Sequence, residues 1–494
     1  MQGLIHAGRR FAVRTSAVVS AAVLLTIAPP SVAQSQNWVA ERGVLPRGTT
    51  YEMRKPNNWN GVLIDDLDFA ATPDAPRYLW LVNHGYALTG TARRADRNTN
   101  YDPAHEIVDL INVMDMFAAK YGKPTRTIQL GQSGGGHVAL AFAEQHPDRV
   151  DGVVATCAHT PMWLMNSELD AWFVLQKLIA PNLQIVDLPA DLSGLTTAWR
   201  AALSAAQQTP IGRARIALAT TVGQLPAWVS STTPEPNPED VVALENSMYE
   251  SLYSTAAQPG GQSRFMFEHS ANAQLSSNVE VDYALAFKRG DPAYQRATRM
   301  LYEAAGASLD ADIAKVNGSD RIEADPKAVQ WWSYPGRTVT GEPKVPTLRI
   351  HTNGDPSVPP SLVAGYDALV VTMGHQDLYR RAFVNAPGHC TFTPAEVAAA
   401  VDTMMQRLEY GDWPATSAVA LNRLGRMLDP STASRYYQYQ QFKYNRTWVP
   451  TTLDYLGRHG EPELRRVSEE REGAADVRPA TLPPQQTEGR PIGE

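Results

Sequence analysis

The most constraining feature of the sequence is the segment from Thr127 to Leu140. There a short apolar run leads through Gly-x-Ser-x-Gly into an Ala-rich stretch with helical spacing. This pattern predicts a strand, a sharp turn and a helix, with Ser133 at the apex of the turn. Such a turn forces strained backbone angles on the serine, so the residues two positions before and after it should lack side chains. Gly131 and Gly135 meet that requirement, and Ser133 becomes the candidate nucleophile.

Predicted strands alternate with predicted helices on both sides of this turn. The residue patterns indicate strands over 61–69, 78–82, 150–155, 346–352 and 379–385, and helices over 103–121, 360–373 and 394–409. This alternation predicts an α/β fold with a mostly parallel sheet covered by helices on both faces. Residues 34–60 are expected to form an edge hairpin or an extended lead-in. Only 48 positions separate Gly85 from Ser133, so we expect one early element of the sheet to be shortened or missing.

The pattern changes between residues 158 and 341, where the sequence is mostly helical in composition and rich in tryptophan. A connection of that length has structure of its own in a compact domain. We therefore predict a helical lid or cap inserted between two parts of the core, 34–157 and 342–456. Trp163 and Trp172 lie near the start of this insertion, just after a strand. Two roles are compatible with this position: packing in the core of the insertion and contact with the substrate. Residues 457–494 contain few apolar side chains and are predicted to be disordered.

The N-terminus resembles an export signal. Three arginines precede an uncharged apolar run that is too short to cross a bilayer, and small residues follow at 31–33. This predicts a secretory signal peptide over 1–33 and a periplasmic or extracellular protein. No later segment is long and apolar enough to span a membrane. A net charge of −7 without a long basic run argues against nucleic-acid binding.

An aspartate and a histidine follow later strands in the order required for a Ser–Asp–His triad. Asp355 comes after the strand over 346–352 and His389 after the strand over 379–385, and parallel strands end at one shared edge. A serine hydroxyl needs a base, a histidine takes its proton near neutral pH, and a buried carboxylate orients that histidine. Other residues remain alternatives for the base and the acid: His84, His137, His146, His351, His375, Asp320, Glu323 and Asp325.

The tetrahedral intermediate of such a reaction needs two N–H donors. We expect the first from Gly134, which opens the helix after the nucleophile. We expect the second from Tyr86, which follows His84-Gly85, although His84-Gly85 is also compatible with a simple tight turn. The sequence has no metal-ligand spacing and no phosphate-binding loop, so neither a metal nor a cofactor is expected.

Five short motifs together resemble those of the secreted bacterial α/β-hydrolases. They are His84-Gly85-Tyr86, segments 131–135 and 146–150, Gly354-Asp355 and segment 388–393. The resemblance covers about residues 58–413, apart from the insertion. It implies an α/β-hydrolase fold and a serine esterase without cofactor, cleaving a small-molecule or polymer-derived carboxylic ester through an acyl-serine. A secreted serine peptidase of the proline-releasing type shares fold and triad and is the alternative.

Cys157 and Cys390 are the two cysteines of the chain, and both lie at the predicted catalytic edge. The pair His389-Cys390 is similar to that of tannase and feruloyl-esterase-type enzymes, in which a disulfide joins the residue before the nucleophile to the one after the histidine. Gln132 stands at the first of those positions here. A different bridge, Cys157–Cys390, and a pair of buried thiols are both compatible with the sequence.

Overall fold

The computed structural model describes residues 37–256, 261–279 and 281–446. The predicted signal peptide over 1–33 and the predicted disordered tail over 457–494 lie outside these residues. The strands are β1 (Trp38–Val44), β2 (Thr50–Pro56), β3 (Val62–Asp66), β4 (Ala87–Thr91), β5 (Arg126–Gln132), β6 (Gly152–Thr156), β7 (Thr347–Gly354), β8 (Tyr379–Pro387) and β9 (Tyr436–Tyr437). The helices are α1 (Pro76–Asn83), α2 (Arg97–Asn100), α3 (Pro103–Tyr121), α4 (Gly134–Gln145), α5 (Pro161–Leu178), α6 (Leu192–Gln207), α7 (Pro210–Gly223), α8 (Val241–Ala256), α9 (Gly261–Ala271), α10 (Tyr283–Arg289), α11 (Pro292–Ala304), α12 (Leu309–Asn317), α13 (Pro326–Trp332), α14 (Ser361–Thr372), α15 (Pro394–Tyr410) and α16 (Ala418–Leu428).

In the described part of the chain the strands form one nine-stranded sheet in the order β1-β2-β4-β3-β5-β6-β7-β8-β9. Strands β3 to β8 run parallel, while the β1–β2 hairpin at one edge and β9 at the other pair antiparallel. The predicted mostly parallel sheet and the edge hairpin are confirmed, and the molecule has the α/β-hydrolase fold. The expectation that an early element is shortened or missing is wrong, because β1 to β4 are all present and β3 and β4, with five residues each, are as long as β6.

Helices cover both faces of the sheet, as the alternation of strand side chains requires. Leu63 and Val153 point to one face, where they pack in a cluster with residues of α3, α4 and α14. Their neighbours Ile64 and Val154 point to the other face and pack with residues of α1, α15 and α16. The sheet is therefore buried on both sides, and functional side chains are left to the loops at its carboxyl edge.

The strand predicted over 78–82 is wrong, since these residues belong to helix α1. Pro76 occupies the first turn of α1, and Tyr78, Leu81 and Val82 are buried on one side of the helix at spacings of three and four. The strand of this region is β4, which begins only at Ala87. The connection between β4 and β5 contains one long helix, α3, besides the short α2. This agrees with the small number of residues between Gly85 and Ser133.

Helices α5 to α13 lie between β6 and β7, in the segment predicted to be a helical insertion. Helix α5 joins two cores, because residues 162–165 pack with the sheet and residues 169–178 pack in a separate helical core. That second core draws on α6, α7, α10, α11 and α12. Among the described residues, no helix combines the length and apolar character needed to cross a membrane.

Candidate active site

Ser133 occupies the sharp turn between β5 and α4. Its backbone angles are φ 57° and ψ −117°, a conformation that costs a non-glycine residue about 1–3 kcal/mol and persists only where the surroundings impose it. The Ser133 N–H donates to the carbonyl of Thr156 at the end of the neighbouring strand β6, over 3.0 Å. The turn therefore presents a half-buried serine at the carboxyl edge of the sheet.

The glycines around the turn differ in what they allow. A Cβ on Gly131 would lie 2.1 Å from the Gly135 carbonyl oxygen, and one on Gly136 would lie 2.7 Å from the Thr156 oxygen. A Cβ on Gly135 would meet its nearest atom, a carboxylate oxygen of Asp68, at 3.4 Å, an ordinary contact. The close approach of the helix to the sheet thus needs Gly131 and Gly136, and the prediction that it needs Gly135 is wrong.

His389 and Asp355 form a hydrogen-bonded pair. The Nδ1 atom of His389 lies 2.9 Å and 2.8 Å from the two carboxylate oxygens of Asp355. Asp355 is fully buried after β7 and also accepts the N–H groups of Ser357 and Val358. A carboxylate in this position favours the tautomer with the proton on Nδ1, which leaves Nε2 of His389 free to act as a base.

A disulfide connects the histidine loop to the neighbourhood of the nucleophile. Cys157 and Cys390 are bonded to each other, with their Cα atoms 5.6 Å apart. Cys157 directly follows Thr156, the hydrogen-bond partner of Ser133, and Cys390 directly follows His389. The bridge therefore holds the loop carrying His389 against the strand end beside Ser133.

The side chains of Cys157, Asp355, His389 and Cys390 bring ligand-type atoms within 4.8 Å of one another. Zinc and similar metals bind cysteine as a free thiolate. Since the two sulfur atoms are bonded to each other, this group is a tethered Asp–His pair rather than a metal centre.

Ser133 and His389 are the two remaining members of the predicted triad. Among the hydrogen bonds of the described residues, none joins the Ser133 hydroxyl to His389. In enzymes of this type the bond between nucleophile and base is often long in the free enzyme and tightens when substrate binds. The structure therefore places the serine and the Asp–His pair at one edge, with the last contact unmade.

Gly134 and Tyr86, the two predicted oxyanion donors, lie at opposite edges of the sheet. Gly134 is the first residue of α4, beside the nucleophile. Tyr86 is contradicted, because it precedes β4 at the amino edge and packs with α1 and α15. Burial there raises the pKa of Tyr86 to about 12. The loop from β3 to α1 starts at the correct edge instead, and a Cβ on Gly135 would lie 3.5 Å from the Cβ of Leu67.

Four polar residues near Gly134 escaped the sequence analysis. A Cβ on Gly134 would lie 3.4 Å from Nη1 of Arg93, 3.4 Å from the hydroxyl of Tyr101 and 3.5 Å from Nε2 of His159. The fourth, Asp68, binds the Arg93 guanidinium through both carboxylate oxygens, at 2.5 and 2.8 Å. Asp68 and Arg93 follow β3 and β4, but the strand predicted over 61–69 ran past the end of β3 and β4 was not predicted, so the rule that located Asp355 and His389 missed them.

The buried histidines are poor rivals of His389 as the base. Burial lowers the pKa of His137 and of His351 to about 4, and it lowers the pKa of His159 well below the ordinary value. All three are therefore neutral at pH 7. His351 lies within β7, with its Nε2 2.8 Å from the carbonyl of Val358. His137 stacks on His159, their ring centres 6.2 Å apart.

Trp163 and Trp172, the predicted substrate contacts, are core residues. Trp163 packs between Gly365 of α14 and the ring of Tyr444, while Trp172 meets Trp199 edge-on at 4.9 Å inside the helical core. Each keeps only 2% of its surface exposed. The prediction of substrate contact is contradicted, because neither indole has a free face to offer a ligand.

No family model matches the chain. Over 449 residues the chain is 46% identical to the o-phthalyl amidase of Xanthobacter agilis, a match that covers 85% of this chain and 99% of that protein. The chain belongs to the family of this amidase. It is accordingly a hydrolase of ester or amide bonds, and the resemblance to α/β-hydrolases seen in the motifs is confirmed.

Solved structures with a similar fold include an esterase from Aspergillus oryzae and the tannin acyl hydrolase from Aspergillus niger. The first has 15% identity and a TM-score of 0.37, over 74% of this chain and 78% of that chain. The second has 12% identity and a TM-score of 0.37, over 84% and 90%. Similarities at this level say nothing about the substrate.

Proposed function

We propose that this family member is a serine hydrolase that cleaves an amide or ester through an acyl-serine intermediate. Ser133 is the nucleophile, His389 the general base and acid, and Asp355 the carboxylate that orients His389. The observation that carries the proposal is the Asp355–His389 pair, bridged by a disulfide to the strand end that binds the Ser133 N–H.

The reaction follows from the positions of these groups. Nε2 of His389 takes the hydroxyl proton as the Ser133 oxygen attacks the carbonyl carbon. The resulting oxyanion accepts hydrogen bonds from the N–H of Gly134 and from an N–H in the loop that begins at Leu67. His389 then returns the proton to the leaving amine or alcohol, and a water molecule releases the acid from Ser133 by the same steps.

The relative supports a particular substrate class. It is described as an amidase that acts on o-phthalyl groups, and it is 46% identical to this chain. We extend this to an aromatic acyl group joined to an amine or an alcohol. This proposal adds amide cleavage to the carboxylic-ester cleavage that the sequence alone implied. The alternative, a proline-releasing peptidase, differs from it in cleaving prolyl substrates.

We also propose that the helical insertion covers the site as a lid. The carbonyl oxygen of Trp228 lies 2.2 Å from where a Cβ on Gly354 would be, immediately before Asp355. The carbonyl of Val229 lies 3.9 Å from the corresponding point on Gly388, immediately before His389. Export of the protein is a further proposal, supported by the disulfide, which persists in oxidising compartments.

The nucleophile is tested by labelling with a fluorophosphonate and by the Ser133→Ala variant. We expect one labelled peptide containing Ser133, no labelling of Ser133→Ala, and a loss of kcat of at least about 10⁴-fold. Ser357→Ala is the matched control, since the Ser357 backbone N–H rather than its hydroxyl binds Asp355. Labelling of another serine, or full activity of Ser133→Ala, contradicts the proposal. Turnover of prolyl anilides alone would favour the peptidase.

A further inference from the structure

The connection from β4 to α3 carries Arg93, which lies beside Gly134, and Arg97, which lies against the ring of Tyr101, and the charges of these two arginines are compensated differently. Arg93 is bound on both sides, because it pairs with the Asp68 carboxylate and donates to the carbonyl of Gln132 over 3.3 Å. This arginine is held against the backbone just before Ser133. Its charge is largely neutralised by Asp68, so it is not available to a ligand.

Arg97 has no such partner. Its Nε atom is buried without a hydrogen bond, and none of the described residues forms an ion pair with it. The guanidinium instead lies 4.8 Å from the ring centre of Tyr101. Burial, and next the positive charge of Arg93, lower the pKa of Arg97, but an arginine keeps its charge at any physiological pH. A partly buried, unpaired guanidinium is unfavourable, so an anionic group on a ligand would be stabilised by pairing with Arg97.

The position of Arg97 indicates where that anion would lie. Tyr101 connects Arg97 to the reaction centre, since its hydroxyl is 3.4 Å from where a Cβ on Gly134 would be. This hydroxyl is also buried without a hydrogen-bond partner among the described residues. Two donors without a hydrogen-bond partner among the described residues, Nε of Arg97 and the Tyr101 hydroxyl, thus lie around one aromatic ring whose hydroxyl end is beside Gly134.

Glu106 carries a carboxyl group whose charge would act on Arg97. It is buried without a hydrogen-bond partner among the described residues, and burial raises its pKa to about 7. It forms no ion pair with Arg97 in the part of the chain that the structure describes. Glu106 thus lowers the positive potential around Arg97 but does not bind its guanidinium group. The N–H groups of that guanidinium can therefore bind a planar carboxylate.

We propose that Arg97, assisted by the hydroxyl of Tyr101, binds a carboxylate on the substrate's acyl group, on the ring carbon adjacent to the one that bears the scissile carbonyl. The inference rests on the proposed function, because it takes Ser133 as the point of attack. A 1,2-substituted ring sets its carboxylate directly beside the reacting carbonyl, and so beside Gly134. A carboxylate at the 4-position would point across the ring, away from both donors.

The test compares 4-nitroanilides and methyl esters of three acids: benzoic acid, its 2-carboxy derivative and its 4-carboxy derivative. Rates are measured at pH 7.5 with the enzyme-free hydrolysis subtracted. We expect the wild type to prefer the 2-carboxybenzoyl substrates by at least about 10-fold in kcat/KM. Arg97→Gln should lower kcat/KM for these substrates by about 10- to 100-fold, mainly through KM, and leave the benzoyl substrates within about twofold.

Two further variants keep the result specific. Arg97→Lys retains the charge but not the planar fork, so it should recover part of the preference. Arg94→Gln removes a positive charge from the same loop, but the Arg94 guanidinium is already held by Asp96, so this variant should match the wild type. Thermal unfolding of each variant shows that it is folded.

Failure of the inference differs from failure of the proposed function. Equal wild-type rates on the 2-carboxy and unsubstituted substrates, or an equal loss on both in Arg97→Gln, overturns the role of Arg97 while Ser133 still labels. Absence of fluorophosphonate labelling together with absence of turnover overturns both.

Discussion

Glu106 illustrates how one residue near the site ties stability to pH. It is fully buried in α3, and neither of its oxygens has a hydrogen-bond partner among the described residues. Burial raises the pKa of Glu106 from 4.5 to about 7, against the opposing effect of the Arg97 charge. The folded protein therefore favours the protonated form of this carboxyl more strongly than the unfolded chain does.

The sign of the effect follows from this shift. The stabilisation from protonated Glu106 is fully present below about pH 4.5 and is lost as the pH rises through about 7, a change of about 3 kcal/mol. Glu106→Gln has nearly the same shape and cannot ionise. We measure the urea midpoints of Glu106→Gln and of the wild type at pH 5 and at pH 8.5. Relative to the wild type, the variant should be more stable at pH 8.5 than it is at pH 5. Glu409→Gln, at an exposed position of α15, is the control and should show no such change.

A stability difference between Glu106→Gln and the wild type that is the same at both pH values would contradict this account. It would mean that Glu106 stays in one protonation state across the range, held there by the arginines of the neighbouring loop.

Single residues also mark the limit of what the sequence could predict. Asp355 and His389 could be located because each follows a legible strand, and the fold brings strand ends together. His159 also follows a legible strand and could have been considered in the same way, whereas Arg97 could not be located, because the strand before it was misread. The positions of these residues depend on Phe267 of α9, whose ring lies against those of Tyr101 and His159.

The turn between β5 and α4 allows a test of how closely α4 must approach β5. Gly131→Ala would bring its Cβ to 2.1 Å from a backbone oxygen of α4, so the helix would have to move away from the strand. We expect a loss of at least about 3 kcal/mol in the free energy of unfolding, with loss of labelling at Ser133. Gly135→Ala is the matched control, because its Cβ would find ordinary contacts and should cost less than about 1 kcal/mol. Similar unfolding midpoints for both variants would contradict the geometry.

The element that sequence reasoning misread, α1, shows why short apolar runs are ambiguous. Residues 78–82 are apolar enough for a buried strand and too few to show a clear period. One part of the helical signal, Pro76 at the first turn, lay outside that window, and the other part, the spacing of Tyr78, Leu81 and Val82, is evident only once their burial is known. The error displaced β4 and, with it, the oxyanion assignment at Tyr86. One wrong element thus moved a functional residue to the wrong edge of the sheet.

On the scale of the whole molecule, the sheet and the helical insertion are held together from two directions. Helix α5 belongs to both cores, as described above. The segment that follows β9 then returns to the insertion, where the Tyr444 hydroxyl pairs with Ser167 of α5 at 2.8 Å. The sequence does not reveal this contact, because the two residues lie more than 200 positions apart in the chain.

Arg446 closes this connection through a buried ion pair. Its Nε lies 2.7 Å from a carboxylate oxygen of Asp170 in α5, with the two side chains 1% and 2% exposed. It also donates to the carbonyls of Ser277 and Asn166, each over 2.5 Å. Burial raises the pKa of Asp170 and the charge of Arg446 opposes that rise, so the carboxylate depends on this arginine.

Removing Arg446 should therefore weaken the whole molecule rather than one surface. In Arg446→Ala the carboxylate of Asp170 stays buried without its partner, which costs about 3–5 kcal/mol. The control is Arg296→Ala, which breaks the exposed pair with Glu239 and should cost less than about 1 kcal/mol. The double variant Arg446→Met/Asp170→Leu removes both charges and should recover much of the loss. Thermal unfolding measures all three variants. A midpoint for Arg446→Ala as high as that for Arg296→Ala would show that the segment after β9 does not hold the insertion to the sheet.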